Sequence, residues 1–289
     1  MTRQEVRLCS TMSRVMHDES FFLEKFSAIY PYSHCIWRVP EASAQAAHGR
    51  LAGPLLDLGC GDGTYAEIFF NRTGRPVDPQ TGQPAALYGI DPQQREIDRA
   101  ARRGLYTKLF CGTSSTIPLP DASVRSVFSN SVVEHIPDKD GTIREVARIL
   151  MPGGTYLFSA PSHLFAKNFR IRAFLNRMFS HGAGEKWVDF INRKFRHFWL
   201  QSPEQWQADL ARHGLQLISW RYTLTVEHAA AWERGLPLSF LQHVLAKRFG
   251  TLPFSSISRM GLRRHADGIA EPSDLAEGGN LVLLVRKSV

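Results

Sequence analysis

Three alternating glycines and two acids carry the strongest chemical signal in this 289-residue chain. Gly59, Gly61 and Gly63 lie in Leu55-Leu56-Asp57-Leu58-Gly59-Cys60-Gly61-Asp62-Gly63-Thr64. An apolar run enters this turn and a helical pattern leaves it. Glycine is needed where backbone bends sharply or approaches a ligand without an intervening Cβ. A strand–turn–helix of this kind presents free N–H groups at the C-terminal edge of a sheet. A dinucleotide loop reads G-x-G-x-x-G and needs glycine at position 64, where this chain has Thr64. The spacing here is G-x-G-x-G, with Asp57 two residues before the first glycine. A carboxylate there suits the cationic end of a ligand, such as an amino-acid ammonium, better than a pyrophosphate. The second acid, Asp91, closes Leu87-Tyr88-Gly89-Ile90, the position that binds ribose hydroxyls in Rossmann-type sites. Asp is also a favoured helix cap, and Asp91 before Pro92 can serve as one. His135, in Glu134-His135-Ile136, is the best base candidate, because an imidazole titrates near neutrality. The same residue can instead only shape a pocket. His34, His163 and His197 are weaker base candidates.

The elements that must hold these groups follow from periodicity. Short apolar runs at 55–58, 87–90, 107–110, 126–129 and 155–158 alternate with helical patterns at 64–70, 93–102 and 142–150. That alternation predicts βαβ units and a doubly wound α/β sheet, Rossmann-like, of about seven strands. Pro152-Gly153-Gly154 is expected to end a helix, and Ser202-Pro203 to open one with Ser as N-cap. Leu215–Trp220 and Leu281–Val285 supply the last strands. Residues 71–86, rich in Gly, Pro and Gln, read as a long loop that lengthens the gap between the glycine turn and Asp91. Residues 1–50 read as a helical N-terminal cap on a domain over 51–289, with lid-like inserts at 163–201 and 222–279.

Composition is that of an ordinary globular protein, 43% hydrophobic and 21% charged. The N-terminus lacks the apolar stretch of a signal peptide, and no apolar run reaches the 18 or so residues that span a bilayer. A cytoplasmic protein is expected, with peripheral contact to the inner membrane face as a further option. Cys9, Cys35, Cys60 and Cys111 form no Cys-x-x-Cys pair, so reduced and mostly buried thiols are expected, with no metal site. A net charge of +8 points to a polyanionic or acidic partner. The charge is concentrated: residues 163–200 hold eight Lys/Arg and nine Phe/Trp. Trp187, Phe190, Ile191 and Phe198 would share one helical face. An apolar-then-basic segment recurs at 236–249. Such segments fit a lid, an anionic membrane surface or, less well, RNA.

From Leu55 to about Pro161 the chain resembles the class I S-adenosylmethionine-dependent methyltransferases, particularly the type 11 group acting on small molecules and lipids. The shared motifs are the glycine turn, Gly89-Ile90-Asp91, Ile117-Pro118-Leu119-Pro120-Asp121, Ser129 to Ile136, and Leu150-Met151-Pro152-Gly153-Gly154. The resemblance implies S-adenosyl-L-methionine as cofactor and an antiparallel last strand pair. Asp57, Gly59 and Gly61 would hold its methionine end, Asp91 the ribose, and Pro92 the adenine. Thr113 stands where the family usually has Asp, so the adenine amino group would be reached weakly by Thr113 or by Ser114. Asn130 would line the methionine side. Asn130-Ser131-Val132-Val133 replaces the Asp/Asn-Pro-Pro-Tyr/Phe of enzymes that methylate exocyclic amines, which disfavours that class. The clustered carboxylates of metal-dependent catechol methyltransferases are missing too. The implied reaction is methyl transfer to O or C of a hydrophobic small molecule or lipid. An RNA methyltransferase, or a catalytically silent cofactor-binding protein, is the competing reading.

Overall fold

A computed structural model describes residues 18–249 and 275–289. The first part of the expected cap and residues 250–274 of the second insert therefore lie outside the described residues. Two compact units are present. A sheet unit comprises residues 48–163, 192–221 and 281–289; a helical unit takes the described residues of 1–47, 164–191 and 222–280.

The seven strands are β1 (Leu55–Leu58), β2 (Leu87–Asp91), β3 (Lys108–Cys111), β4 (Val124–Asn130), β5 (Leu150–Pro161), β6 (Leu215–Thr223) and β7 (Asn280–Lys287). They lie in the order β3-β2-β1-β4-β5-β7-β6. β1 pairs in parallel with β2 and with β4, and β2–β3 and β4–β5 are parallel as well. The direction of β7 follows from its ends. Ser288 N donates to Gly214 O at 3.1 Å and Gly279 N to Leu224 O at 2.9 Å, so β7 runs antiparallel to β6. The order reverses between β1 and β4, the switch point outside which open α/β folds bind ligands.

β1 is buried along its whole length, as a strand covered on both faces must be, and it reads as a continuous apolar run broken only by Asp57. On one face Phe69 stacks on Phe128 at 4.7 Å; elsewhere Tyr156, Phe158 and Trp206 form a second aromatic group. Helices α3 (Thr64–Thr73), α4 (Gln94–Ala101), α5 (Lys139–Ile149) and α8 (Pro203–Ala211) belong to this unit. Asp138 caps α5, accepting from Gly141 N at 2.9 Å. Ser202 and Gln205 close a capping box at the start of α8, as the Ser-Pro signal predicts.

Two expectations shift. Pro152-Gly153-Gly154 does follow a helix end, that of α5 at Ile149, but it lies inside β5 and not in a turn before the strand, at the point where the pairing jumps from Val124↔Leu150 to Ser126↔Thr155. The turn signal is spent on a bulge, with Gly153 at φ 74°. Residues 71–86 are less loop-like than their composition implies: α3 runs to Thr73, and Val77 bridges Ala52 and Pro84.

In the helical unit, residues 18–27 form α1, followed by α2 (Tyr32–Ala46), α6 (Arg170–Met178) and α9 (Val226–Phe249). α7 (His181–Phe195) begins here and ends among residues of the sheet unit. Ser239 Oγ and Gln242 Oε1 of α9 accept the first free N–H groups of α2, from Ser33 at 2.8 Å and Tyr32 at 2.9 Å. Trp37, Phe165, Phe169 and Trp232 pack ring on ring at 5.1–5.4 Å. Phe198 does not share a helical face with Trp187, Phe190 and Ile191. α7 stops at Phe195, and Arg196 turns the chain away with φ 56°. Cys35 and Cys60 are buried, whereas Cys111 is exposed; Cys9 lies outside the described residues. No helix among the described residues is long and apolar enough to cross a membrane.

Candidate functional site

The glycine turn follows β1, and each of its glycines has a positive φ. At Gly59 a Cβ would meet Val132 Cγ1 at 2.5 Å, so only glycine lets the turn lie against the chain after β4. At Gly61, with φ 51°, a Cβ would meet nothing within 4 Å. Its surface is open while its backbone still needs glycine, the combination a ligand cradle requires. Gly59 N and Cys60 N both donate to Ile90 O, at 2.9 and 3.0 Å, locking the turn to β2. Arg103 holds the other side, donating to Asp62 O at 2.6 Å and to Glu67 and Thr64.

Asp91 ends β2 and is buried. Its Oδ2 accepts from Gly61 N at 3.1 Å and its Oδ1 from Gln93 N at 2.9 Å. It is not the cap of α4: that position belongs to Gln93. The carboxylate instead clamps the glycine turn across to β2. Pro92 beside it is exposed.

Asp57 is fully enclosed at the end of β1, and Tyr106 Oη donates to its Oδ2 at 2.6 Å. Burial pushes this carboxyl up to about 7; the Tyr106 bond pulls against that, and the neighbouring Asp91 charge adds to it. Among the described residues no cationic side chain pairs with Asp57. A buried acid in this state is ready for a cation from outside the chain. Tyr106 was missed by sequence reasoning; the usable signal was a tyrosine just before β3, at the same sheet edge. Burial and Asp57 together push its phenol far above its ordinary value.

Further along that edge, Thr113 is exposed with its hydroxyl 3.4 Å from Ser115 Oγ, and Ser114 Oγ lies 2.8 Å from Thr142 Oγ1. Arg148 binds Ile117 O, Leu119 O and Asp121 Oδ1 at 2.7–2.8 Å, which fixes the Ile117–Asp121 motif to α5. Asn130 ends β4, where its Nδ2 donates to Ser159 Oγ at 3.1 Å, tying it to β5. Ser131 follows with φ 49°, its N–H shared by the same hydroxyl.

His135 lies on the 3₁₀ turn Val133–His135. Val132, which begins this bend, packs where a Cβ of Gly59 would lie, so the histidine's turn abuts the glycine turn. Nδ1 of His135 is 3.3 Å from Arg196 O, and Nε2 is 3.7 Å from Oε1 of the buried Glu134. The His197 ring is 5.4 Å away. Burial, and then the His135 charge, lower His197 to about 4. His163 and His34 do not join this pair of rings. His163 is exposed after β5. His34 belongs to the helical unit, stacked on Tyr30 and lowered to about 4 by burial and then by Arg38.

Comparison with known proteins finds a methyltransferase domain in this part of the chain. The type 11 family model, described as a methyltransferase domain, matches residues 56–158. A probable S-adenosylmethionine-dependent methyltransferase of Mycolicibacterium smegmatis is 30% identical over 129 residues, 44% of this chain and 46% of that protein. The chain thus spans about half the length of this relative. A sterol 24-C-methyltransferase of Gibberella zeae is 25% identical over 307 residues, 96% of this chain and 75% of the other. Among solved structures, the [4+2]-cyclase SpnF has a similar fold, with a TM-score of 0.52 and 19% identity over 86% of this chain and 80% of its own. The glycine turn and the two acids at adjacent strand ends thus lie within the span, residues 56–158, that matches the methyltransferase domain, and this span is similar to S-adenosylmethionine-dependent methyltransferases.

Proposed function

We propose that this protein transfers a methyl group from S-adenosyl-L-methionine to oxygen or carbon of a hydrophobic small molecule or lipid. The observation that carries the reading is Asp57: a buried carboxyl beside an open glycine turn, with a tyrosine hydroxyl as donor and no cation of its own. An amino-acid ammonium supplies the missing charge. When bound, S-adenosylmethionine supplies an electrophilic methyl group on a sulfonium whose departure leaves a neutral thioether. Asp57, Gly59 and Gly61 hold the methionine end. Asp91 takes the ribose hydroxyls with lone pairs left over from Gly61 and Gln93. Pro92, Thr113 and Ser114 border the adenine, and Asn130 borders the methionine side. Much of the rate comes from alignment and water exclusion. For a hydroxyl acceptor, His135 takes the proton.

The lipid part of the proposal is supported by the sterol enzyme, whose similarity runs through nearly the whole chain. Fold does not decide it, because a cyclase shares the architecture. Release of S-adenosylhomocysteine with a total lipid extract, compared with RNA, is the deciding measurement. Turnover on RNA alone, or tight binding of a nicotinamide dinucleotide, overturns the reading.

The proposed partner surface is an anionic membrane, reached through 163–200 and 236–249. α6 buries none of its residues, and it carries Arg170, Arg172 and Arg177 with no acid of its own, Arg172 pairing with Glu185 of α7 at 2.8 Å. Phe174, Met178 and Phe179 are more than half exposed, and Phe240 is 71% exposed on α9. Each Lys or Arg near such a surface contributes roughly 1 kcal/mol, and exposed aromatics add insertion. Sedimentation with phosphatidylglycerol vesicles is expected, weakening with salt and lost in the Arg170→Glu/Arg177→Glu/Phe174→Glu variant. Equal recovery on phosphatidylcholine vesicles, or none on either, leaves the inserts as a lid only.

A further inference from the structure

We infer that the backbone carbonyl of Arg196 holds His135 in its Nδ1–H tautomer and so makes Nε2 the nitrogen that takes the acceptor's proton. The inference deepens the proposed methyl transfer and rests on it for the role of the ring, though not for its tautomer.

A carbonyl oxygen can only accept a hydrogen bond, so a ring nitrogen 3.3 Å from Arg196 O must carry the hydrogen. Which nitrogen of a histidine is basic is set by the bond the other one makes. A histidine side chain in water favours the Nε2–H form, so an Nδ1–H ring here has to be imposed by its surroundings. On the Nε2 side lies the buried Glu134, only 1% exposed, with Oε1 at 3.7 Å. With Nδ1 occupied by the carbonyl, the proton of a hydroxyl acceptor passes to the Nε2 lone pair as the oxygen would bond the methyl carbon and the sulfur–methyl bond would break; the ring becomes an imidazolium, and the proton later returns to solvent. His197, whose ring lies 5.4 Å away, stays neutral in its partly enclosed setting and does not compete as a second cation.

The position of that carbonyl is fixed by the chain around it. α7 ends with Arg196 N bonded to Arg193 O at 3.2 Å and His197 N bonded to Asn192 O at 2.9 Å. Between them Arg196 adopts φ 56°, a left-handed conformation that a residue with a Cβ holds only when its surroundings fix it. The next residues supply that fixation. Phe198 N donates to Glu134 O at 2.7 Å, and Trp199 Nε1 donates to Ile136 O at 2.8 Å. Residues 196–199 thus bind residues 134–136 through three successive hydrogen bonds, and the histidine ring is the middle of that strap. The Arg196 side chain is exposed and takes no part. Arg196 is a positioning residue through its backbone.

The test separates backbone from side chain. In ¹⁵N spectra of the histidine-labelled full chain, the neutral His135 ring is expected to show the Nδ1–H pattern. Arg196→Gly and Arg196→Asn, which tolerate a left-handed φ, are expected to keep both that pattern and the turnover. Arg196→Val, which is β-branched, is expected to shift the ring toward Nε2–H. It should also lower kcat at least tenfold with a lipid extract as acceptor, with the KM for S-adenosylmethionine within twofold. An Nε2–H ring in the unmodified protein overturns the inference whatever the variants do. So does a Gly variant as impaired as the Val variant. If the tautomer is found as stated but His135→Ala turns over normally, the role assigned to the ring fails and the tautomer assignment stands.

Discussion

At the Asp57–Asp91 end of the site every anchoring group lies within residues 56–158, the span matched by the family model. At the His135 end the ring is held by Arg196 and the turn beneath it by Phe198 and Trp199, all outside that span. The first end is made of strand termini and a glycine turn fixed by backbone bonds. The second is made by a late segment of chain strapped across a 3₁₀ turn. A cofactor common to a whole family needs the same cradle each time. An acceptor peculiar to one chain needs a pocket that can differ. The two ends should therefore respond differently to substitution, one in affinity and the other in rate.

The largest expected effect lies at the His135 end. His135→Ala should lower turnover roughly 10²–10⁴-fold, the usual contribution of a positioned base, with cofactor affinity nearly unchanged. Assay of S-adenosylhomocysteine release alongside calorimetry checks both halves. Wild-type turnover in this variant would reduce His135 to a residue that shapes the pocket, and the contrast between the two ends would then rest on packing alone.

A smaller and opposite effect is expected from Asp91→Ala. Losing a charged acceptor costs about 1.5–3 kcal/mol of cofactor binding. Because Asp91 also holds Gly61 N and Gln93 N, the glycine turn loosens as well. Asp91→Asn keeps an acceptor and should lose less. At saturating cofactor the rate should recover. A variant with normal affinity and a collapsed rate would break the division of labour.

Much of this was legible in the sequence, and unevenly so. The order of elements, the capping box at Ser202 and the acids at the ends of β1 and β2 are local signals, because turn and cap chemistry is written in neighbouring residues. Phe198 shows the limit of that reading. Helical periodicity carried it onto the face of Trp187 and Phe190, yet the helix breaks at Arg196, where the sequence has no glycine or proline to announce a left-handed residue. Its conformation comes from bonds to residues about sixty positions away. Tyr106 and Arg103 were missed for the same reason: nothing adjacent to them in sequence reveals that they close on Asp57 and Asp62. Pro152-Gly153-Gly154 was a true turn signal whose place, in a bulge of β5, depended on the pairing of β4.

The smallest effect is also the most specific to the cofactor end, and its sign can be worked out from Asp57 alone. Its folded-state carboxyl sits at about 7 against an ordinary value of 3.8. Between those values the folded protein binds more protons than the unfolded chain, so the stability of the ligand-free protein should fall as pH rises from about 4 to about 7 and then level off. Cofactor binding works in the other direction. An ammonium beside Asp57 favours the carboxylate, so binding near neutrality must release a proton. Affinity should then rise roughly tenfold, about 1.4 kcal/mol, between pH 6 and pH 8 as the fraction already ionised grows. Asp57→Asn should weaken binding, abolish that rise and leave the ligand-free protein more stable at pH 8. Calorimetry in two buffers of different ionisation enthalpy measures the proton directly. Proton uptake in place of release, or an affinity flat from pH 6 to pH 8 in the unmodified protein, would mean that Asp57 does not meet the cationic end of the cofactor and that the cradle holds it some other way.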